Sequence, residues 1–296
     1  MNDFLFDAGN AAKANFADIY REPDPRPYFA SLGACDYVIP EYAKPVFAAL
    51  IEALRETRER EHLTLLDLGC SYGVNGALLK HGLSLDDLYR HYADMAESDR
   101  AALVESDKAL VERAETDATL TVVGLDASPE AVKYATDAGL VDAGVAANLE
   151  TAAPSPAAAR MIAPADMVIS TGCVGYVTED TFARILDLTD ASPGPLPWIA
   201  SFVLRIFPYD QIALTMAEHG LVTEKLEGVT FVQRRFADEA EQNEVLKRLD
   251  SLGIDPTGHE ADGYFHAQLY LSRPRDEAAP LALPALIPAE VLAQGA

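Results

Sequence analysis

The stretch Leu65-Leu66-Asp67-Leu68-Gly69-Cys70-Ser71-Tyr72-Gly73-Val74-Asn75-Gly76 leaves this chain few ways to fold. An apolar run ends in an acid, breaks into glycines, and gives way to Ala77, Leu78 and Leu79 at helical spacing. That order reads as a buried strand, a tight turn and a helix start. Glycine lets the backbone approach a ligand closely, and a helix N-terminus offers free N–H groups. A ligand containing a nucleoside is the natural occupant of such a turn.

The same alternation continues downstream. Leu63–Leu68, Thr121–Asp126, Ala143–Ala147, Asp166–Thr171 and Trp198–Phe207 read as strands, with helical patterns between them. Ser128 is a helix N-cap, with Pro129 at the first helical position. Val229–Phe236 and Tyr264–Ser272 alternate as an antiparallel pair flanking a helix at 238–252. Strands alternating with helices imply a parallel doubly wound sheet. The expected fold is therefore α/β, a Rossmann-like seven-stranded mixed sheet with helices on both faces.

Three segments fall outside that pattern. Residues 1–60 form a helical arm or lid, with an amphipathic helix through Tyr42, Phe47 and Leu54. Within the arm, the prolines of Tyr20–Phe29 argue against regular structure, while its aromatics favour burial. Residues 84–118 read as an inserted helical pair inside a core region of 61–275. Either they are a solvated decoration, given their charge, or they cover the substrate pocket. Residues 276–296 form a tail that packs loosely or frays.

Charge and composition narrow the partners. Acids number 47 against 23 Lys and Arg, a net charge of -24, and the basic residues are scattered. Such a chain repels a phosphate backbone at long range, so nucleic acid is not expected as a partner. No apolar run reaches the roughly 18 residues of a membrane span, and Met1–Asp7 lacks the pattern of a signal peptide. Three cysteines, Cys35, Cys70 and Cys173, have no paired spacing, and the six histidines show no ligand spacing. Neither a disulfide framework nor a metal site is expected, and a cytoplasmic location fits. A small-molecule substrate and, compatibly, a homodimer remain.

The glycine spacing excludes two common nucleotide sites. A dinucleotide fingerprint needs glycines at i, i+2 and i+5, but from Gly69 those positions hold Ser71 and Val74. The Walker pattern fails because no Gly-Lys-Ser/Thr follows. The spacing Asp67-x-Gly69-x-x-x-Gly73 instead resembles the first motif of the class I S-adenosylmethionine (SAM)-dependent methyltransferases. Ser71 stands where that family usually has a middle glycine, and Tyr72 is bulkier than the usual residue.

Further segments resemble the family in order over residues 60 to 273. Asp126 ends the second strand, where the family places an acid on the ribose hydroxyls, followed here by Ala127. A carboxylate can accept two hydroxyl hydrogen bonds at once. Asn148 resembles the position that often contacts the adenine amine. Ser170 and Thr171 end the strand that faces the methionine part of the cofactor. The resemblance thus implies a SAM site of Asp67, Gly69, Cys70, Ser71, Gly73, Asp126, Ala127, Asn148, Ser170 and Thr171. Asp126 lies 57 positions after Gly69, where about 20 is usual in such folds; the insertion 84–118 accounts for the excess.

Methyl transfer asks mainly for alignment with an already activated sulfonium. Tyr176, between glycines after the fourth strand, is a candidate cation–π partner for that sulfonium, or else a packed core tyrosine. Ser201 lies at the pocket or satisfies a neighbouring backbone group. Arg205, in an apolar strand, demands a carboxylate partner, from a substrate or from the protein. Tyr20 and Tyr28 of the arm are candidate substrate contacts. The leading expectation is a small-molecule methyltransferase of secondary metabolism. The set Asn148, Tyr176 and Ser201 also resembles that of azetidine-2-carboxylate synthases, which cyclise SAM and release methylthioadenosine. A SAM-binding protein without catalysis is the third reading.

Overall fold

The computed structural model describes residues 2–13 and 17–294. The first and last residues of the expected arm and tail, with residues 14–16, lie outside that description. Helix α1 (Asn2–Ala11) and a 3-10 turn (Ala17–Tyr20) lead to α2 (Arg26–Gly33) and α3 (Ile39–Arg58). Strand β1 (Leu63–Leu68), α4 (Val74–Leu79), α5 (Leu85–Asp94), α6 (Arg100–Arg113) and β2 (Leu120–Asp126) follow. Next come α7 (Pro129–Asp137), β3 (Ala143–Ala146), α8 (Pro156–Ile162), β4 (Met167–Thr171), α9 (Glu179–Asp190) and β5 (Trp198–Leu204). The C-terminal part holds α10 (Asp210–Glu218), β6 (Leu221–Lys225), β7 (Phe231–Arg235), α11 (Glu239–Ser251) and β8 (Tyr264–Pro274). Three short helices close it, α12 (Arg275–Ala278), α13 (Leu283–Leu286) and α14 (Ala289–Gln294).

The sheet has eight strands, not seven. Its order is β3-β2-β1-β4-β5-β8-β6, with β7 also paired to β8. Strands β1 to β5 are parallel, and β8 runs antiparallel to β5, β6 and β7. The additional strand is β6, whose sequence Leu-Val-Thr-Glu-Lys is mostly polar. It lies on the outer side of the eleven-residue β8, alongside Tyr270–Pro274, while β7 takes Tyr264–Ala267 on that same side. An edge strand has only one bonded neighbour and carries little of the apolar signal that marks a central one.

Helices cover both faces. Phe202 of β5 meets Phe47 of α3 edge to ring at 5.3 Å. Its neighbour Ser201 points the other way, beside its register partner Tyr270, which stacks on Tyr209 at 4.3 Å. The α3 face and the face carrying Tyr209 and α10 are therefore opposite. The core is continuous from Ala12 through Val291.

The arm and the insertion pack together. Contrary to the irregular segment expected over Tyr20–Phe29, α2 begins at Arg26. Pro27 sits in its first turn, where no N–H is needed. Tyr28, Phe29 and Leu32 of α2 are buried. Phe29 stacks on Tyr92 of α5 at 4.5 Å, and Tyr89 donates a hydrogen bond to the Tyr37 carbonyl at 3.0 Å. Beneath them the Asp107 carboxylate, buried in α6, takes bonds from His91, Tyr92 and Tyr134. The insertion thus buttresses the arm from behind; it is neither a free decoration nor a wall of the cavity described below.

The tail is anchored, not frayed. Glu277 pairs with Arg58 and accepts a hydrogen bond from the Trp198 indole, and Leu283, Ile287 and Val291 are buried. No described helix is long and apolar enough to cross a membrane. Among the described residues, no group of three or more His, Cys, Asp or Glu side chains is placed to hold a metal ion.

Candidate active site

A cavity of about 660 Å³ opens at the carboxyl ends of β1, β2 and β4. This is where open α/β sheets take ligands, and the size suits a small molecule. Its floor is the glycine turn. Gly69 has φ +76°, and a Cβ there would lie 2.7 Å from Cβ of Cys173, so only glycine fits. Ser71 adopts the left-handed φ of +49° that the usual glycine would take, at a cost of about 1–2 kcal/mol. Its N–H donates to Asp126 Oδ2 at 2.9 Å, which holds the strained residue in place.

Asp126 is committed on both oxygens, since Oδ1 also accepts the Ser128 N–H at 2.8 Å. Each oxygen keeps a further lone pair for a ligand hydroxyl. Burial pushes its carboxyl above the ordinary range, and the backbone N–H donors oppose that shift. Beyond it, Asn148 lines the cavity with its Oδ1 bonded to the Glu150 N–H at 3.0 Å. Glu150 in turn accepts from the Thr178 N–H at 2.9 Å and from the Thr181 hydroxyl at 2.6 Å, fixing this loop to α9.

Asp67 lies beneath the cavity, fully buried. Asn75 Nδ2 donates to Asp67 Oδ1 at 2.8 Å and to the Thr171 hydroxyl at 3.3 Å. Asp67 Oδ2 has no hydrogen-bond partner among the described residues. Burial drives this carboxyl up to about 7, with Asn75 lowering it and the Asp126 charge raising it. Asn75 and Thr171 both line the cavity, so the buried acid acts on it through the amide.

The roof is aromatic and comes from the arm. Tyr20, Tyr28 and Tyr37 line the cavity. Tyr28 meets Tyr20, Tyr37 and Tyr72 edge to face at 5.7, 6.2 and 5.8 Å. The Tyr37 hydroxyl lies beside Tyr28 and Thr171; burial pushes it up to about 12 and shifts Tyr20 and Tyr28 in the same direction. These phenols are hydrogen-bond donors at neutral pH and not bases. Cys173 on the wall, likewise pushed up to about 12 by burial, is a thiol and not a nucleophile.

Tyr72, bulky for its place in the turn, ties floor to roof. Its hydroxyl reaches the carbonyls of Ile19 and Glu22 at 2.8 and 2.9 Å, and the Ser128 hydroxyl bonds the Tyr20 carbonyl at 2.5 Å. Tyr72→Phe keeps the ring and removes a buried bond of about 1 kcal/mol. The expected result is faster tryptic cleavage at Arg21 and a severalfold faster ligand release, read by limited proteolysis and stopped flow. Unchanged rates would show that the tether does not hold the roof.

The sequence-derived site residues divide into two groups. Gly69, Cys70, Ser71, Asp126, Ala127, Asn148, Thr171, Tyr20, Tyr28 and Tyr176 line the cavity. Asp67 lies below it, and Gly73, at φ +84°, caps the start of α4. Ser170 and Ser201 do not line it. They are register partners on the face of Tyr209, and both are fully buried. Arg205 does not line it either: it pairs with Glu260 at 2.8 Å and bonds the Asp255 carbonyl at 2.6 Å. Its carboxylate partner belongs to the protein.

Tyr37, like Tyr20 and Tyr28 an arm tyrosine expected to close over the pocket, is on the wall. Three wall or neighbouring residues carry no role in the sequence reading: Asn75, Cys173 and Lys13. Gly172, with φ +76°, gives another clue to the local packing. A Cβ there would lie 2.4 Å from the Gln233 amide nitrogen, so the Gln233 side chain of β7 reaches the loop that follows β4.

Comparison with family models and with curated proteins gives no match. Among solved structures, the chain is similar to the plantazolicin methyltransferase BpumL, crystallised with a pentazolic desmethyl-plantazolicin analogue and SAH. The identity is 12%, with 93% of this chain and 100% of that one covered and a TM-score of 0.42. It is also similar to magnesium protoporphyrin IX methyltransferase from Synechocystis PCC 6803 with bound SAM (12% identity, 92% and 92% covered, TM-score 0.40). A third is a TehB-like SAM-dependent methyltransferase from Corynebacterium glutamicum ATCC 13032 (16%, 74% and 85%, 0.36). Likeness at this level assigns neither reaction nor substrate to this chain.

Proposed function

We propose that this chain is a SAM-dependent enzyme that methylates a small-molecule acceptor. The observation that carries this reading is the continuous wall from Asp126 across the glycine turn to Thr171 and Cys173. Asp126 and Asn148 suit the ribose and adenine. The open backbone at Gly69 suits the close approach of a nucleoside. Asn75 gives its N–H groups to Asp67 and Thr171, so its Oδ1 is left to accept from the cofactor's ammonium, with the buried acid behind it. Asp67 therefore positions Asn75, and the unpartnered Asp67 Oδ2 fits a site that awaits a cation.

When bound, the cofactor supplies an activated methyl group on a sulfonium. The protein's part is alignment and exclusion of water. The tyrosine roof closes the reacting end, and Tyr176 offers a ring face to positive charge. The acidic surface, scattered basic residues and added arm favour a small enclosed substrate in cytosolic secondary metabolism.

A second reading has its own support. Besides the neutral tyrosines and Cys173, the charged residues on the wall are Arg21, Asp126 and Glu130. Asp126 is assigned to the ribose end, and among the described residues the wall beside Thr171 and Tyr176 carries no carboxylate or imidazole to serve an acceptor. A nucleophile carried by the cofactor itself, its own amine, needs no acceptor pocket; once the ammonium has released a proton to solvent, its nitrogen attacks the γ-carbon, the Cγ–S bond breaks, and azetidine-2-carboxylate and methylthioadenosine form. Incubation of the protein with SAM alone, followed by mass spectrometry, separates the readings. Methyl transfer predicts no protein-dependent turnover until an acceptor is added, and then S-adenosylhomocysteine. Methylthioadenosine with the cyclic imino acid from SAM alone would replace transfer by cyclisation. SAM binding without either product, across a panel of acceptors and extracts, would favour a non-catalytic role.

A further inference from the structure

Just after α1 the chain places Lys13 beside the reacting end of the cavity. Its ammonium stands 4.5 Å from the Tyr176 ring centroid and 5.5 Å from that of Phe207. The segment is docked there: Asn10 Nδ2 donates to the Gly175 carbonyl at 2.5 Å, and Ala12 is buried. The neighbouring ion pair does not serve Lys13. Glu241 holds the Arg234 guanidinium through both oxygens, at 2.6 and 2.9 Å.

Lys13 itself enters no ion pair among the described residues, in a chain with 47 acids. The cluster of Lys13, Arg234 and Glu241 therefore carries one positive charge more than negative. A desolvated ammonium without a counter-ion is unfavourable unless an anion arrives with a ligand.

We infer that Lys13 is the counter-ion of a ligand carboxylate at the Tyr176 end of the cavity. An ammonium matches a carboxylate as a strongly interacting point charge on a flexible stem. Burial and then the Arg234 guanidinium draw Lys13 down to about 8, with Glu241 and Cys173 opposing, as suits a cation waiting for its partner. The carboxylate can come from the methionyl group of SAM, a case that rests on the cofactor reading above, or from an acidic second substrate. In the free protein the Lys13 ammonium lies over the Tyr176 ring; a ligand carboxylate would draw it away and leave that ring face to the ligand's own positive charge.

The test follows the midpoint of Lys13 in the wild-type protein, by the pH dependence of its acetylation with acetic anhydride and peptide mass spectrometry. One arm compares SAM with decarboxylated SAM. The other loads the protein with methylthioadenosine, which has no carboxylate, and compares benzoate with benzamide. A midpoint raised by about one pH unit or more, a tenfold gain in proton affinity, by SAM but not by its decarboxylated form assigns the cofactor's carboxylate. The same rise with benzoate alone assigns a second substrate. Lys13→Met should then weaken the responding ligand about tenfold and leave the uncharged analogue unaffected. A midpoint unmoved in both arms, or moved equally by the uncharged analogues, overturns the inference. If SAM fails to bind the wild type, the cofactor reading falls and the benzoate arm still decides Lys13. If SAM binds and neither arm responds, the Lys13 inference falls alone.

Discussion

Asp126→Ala is expected to lower SAM affinity by roughly a hundredfold. Two hydroxyl bonds to a carboxylate contribute about 1.5–3 kcal/mol each before losses shared with water, and about 3 kcal/mol is a factor near one hundred. The substitution also strips an acceptor from the N–H groups of Ser71 and Ser128, so the turn itself loosens. Asp126→Asn is intermediate: it keeps one oxygen acceptor but sets an amide N–H against the other backbone N–H, so its apo protein should melt between wild type and the alanine variant, with binding weakened about tenfold. Calorimetric titration with thermal denaturation reads both. Wild-type SAM affinity in the alanine variant would remove the ribose assignment.

The second large effect is on stability. Asp67 is fully buried and its carboxyl is pushed up to about 7, against an ordinary value of 3.8. Between pH 4 and 7 the folded protein therefore retains a proton that the unfolded chain has lost. Stability contributed by this residue falls as pH rises through that window and is constant above it. The span corresponds to about 4 kcal/mol as an upper figure. Asp67→Asn removes the cost and still offers an acceptor to Asn75. The variant should be more stable than wild type by about 2–4 kcal/mol at pH 8 and nearly equal at pH 4. Its SAM affinity should fall about tenfold, because the charge behind Asn75 is gone. Equal stability of the two proteins at both pH values would show that Asp67 titrates as an ordinary exposed acid.

Such a trade of stability for a charged site is common where function needs a buried acid. It also indicates what a sequence can display. Strands β1 to β5 were legible because their apolar runs are bounded by acids, glycines and helix caps such as Ser128-Pro129. Strand β6 was not, because an edge strand of Leu-Val-Thr-Glu-Lys has one bonded neighbour and little apolar surface to bury. The cavity floor could be read from the spacing of Gly69, Gly73 and Asp126, since those residues answer local backbone demands.

The roof was marked by composition and not by spacing. The aromatics of the arm, Tyr20, Tyr28 and Tyr37, pointed to a closing segment only by their preference for burial, while Lys13 comes beside Tyr176 because the arm folds back over the strand ends, a tertiary event without sequence period. Arg205 announced its need for a carboxylate, but Glu260 lies 55 residues away, and nothing local distinguishes it from a substrate acid. Ser201 was placed by strand membership alone; the alternation that sends Phe202 towards α3 sends Ser201 to the opposite face, away from the cavity.

The central claim is that the cavity over the glycine turn is a SAM site, and titration of SAM into the wild-type protein by calorimetry tests it most directly. The expected result is saturable one-to-one binding, competed by S-adenosylhomocysteine and indifferent to NAD. Absence of SAM binding at millimolar concentration, or displacement of SAM by NAD, would contradict it.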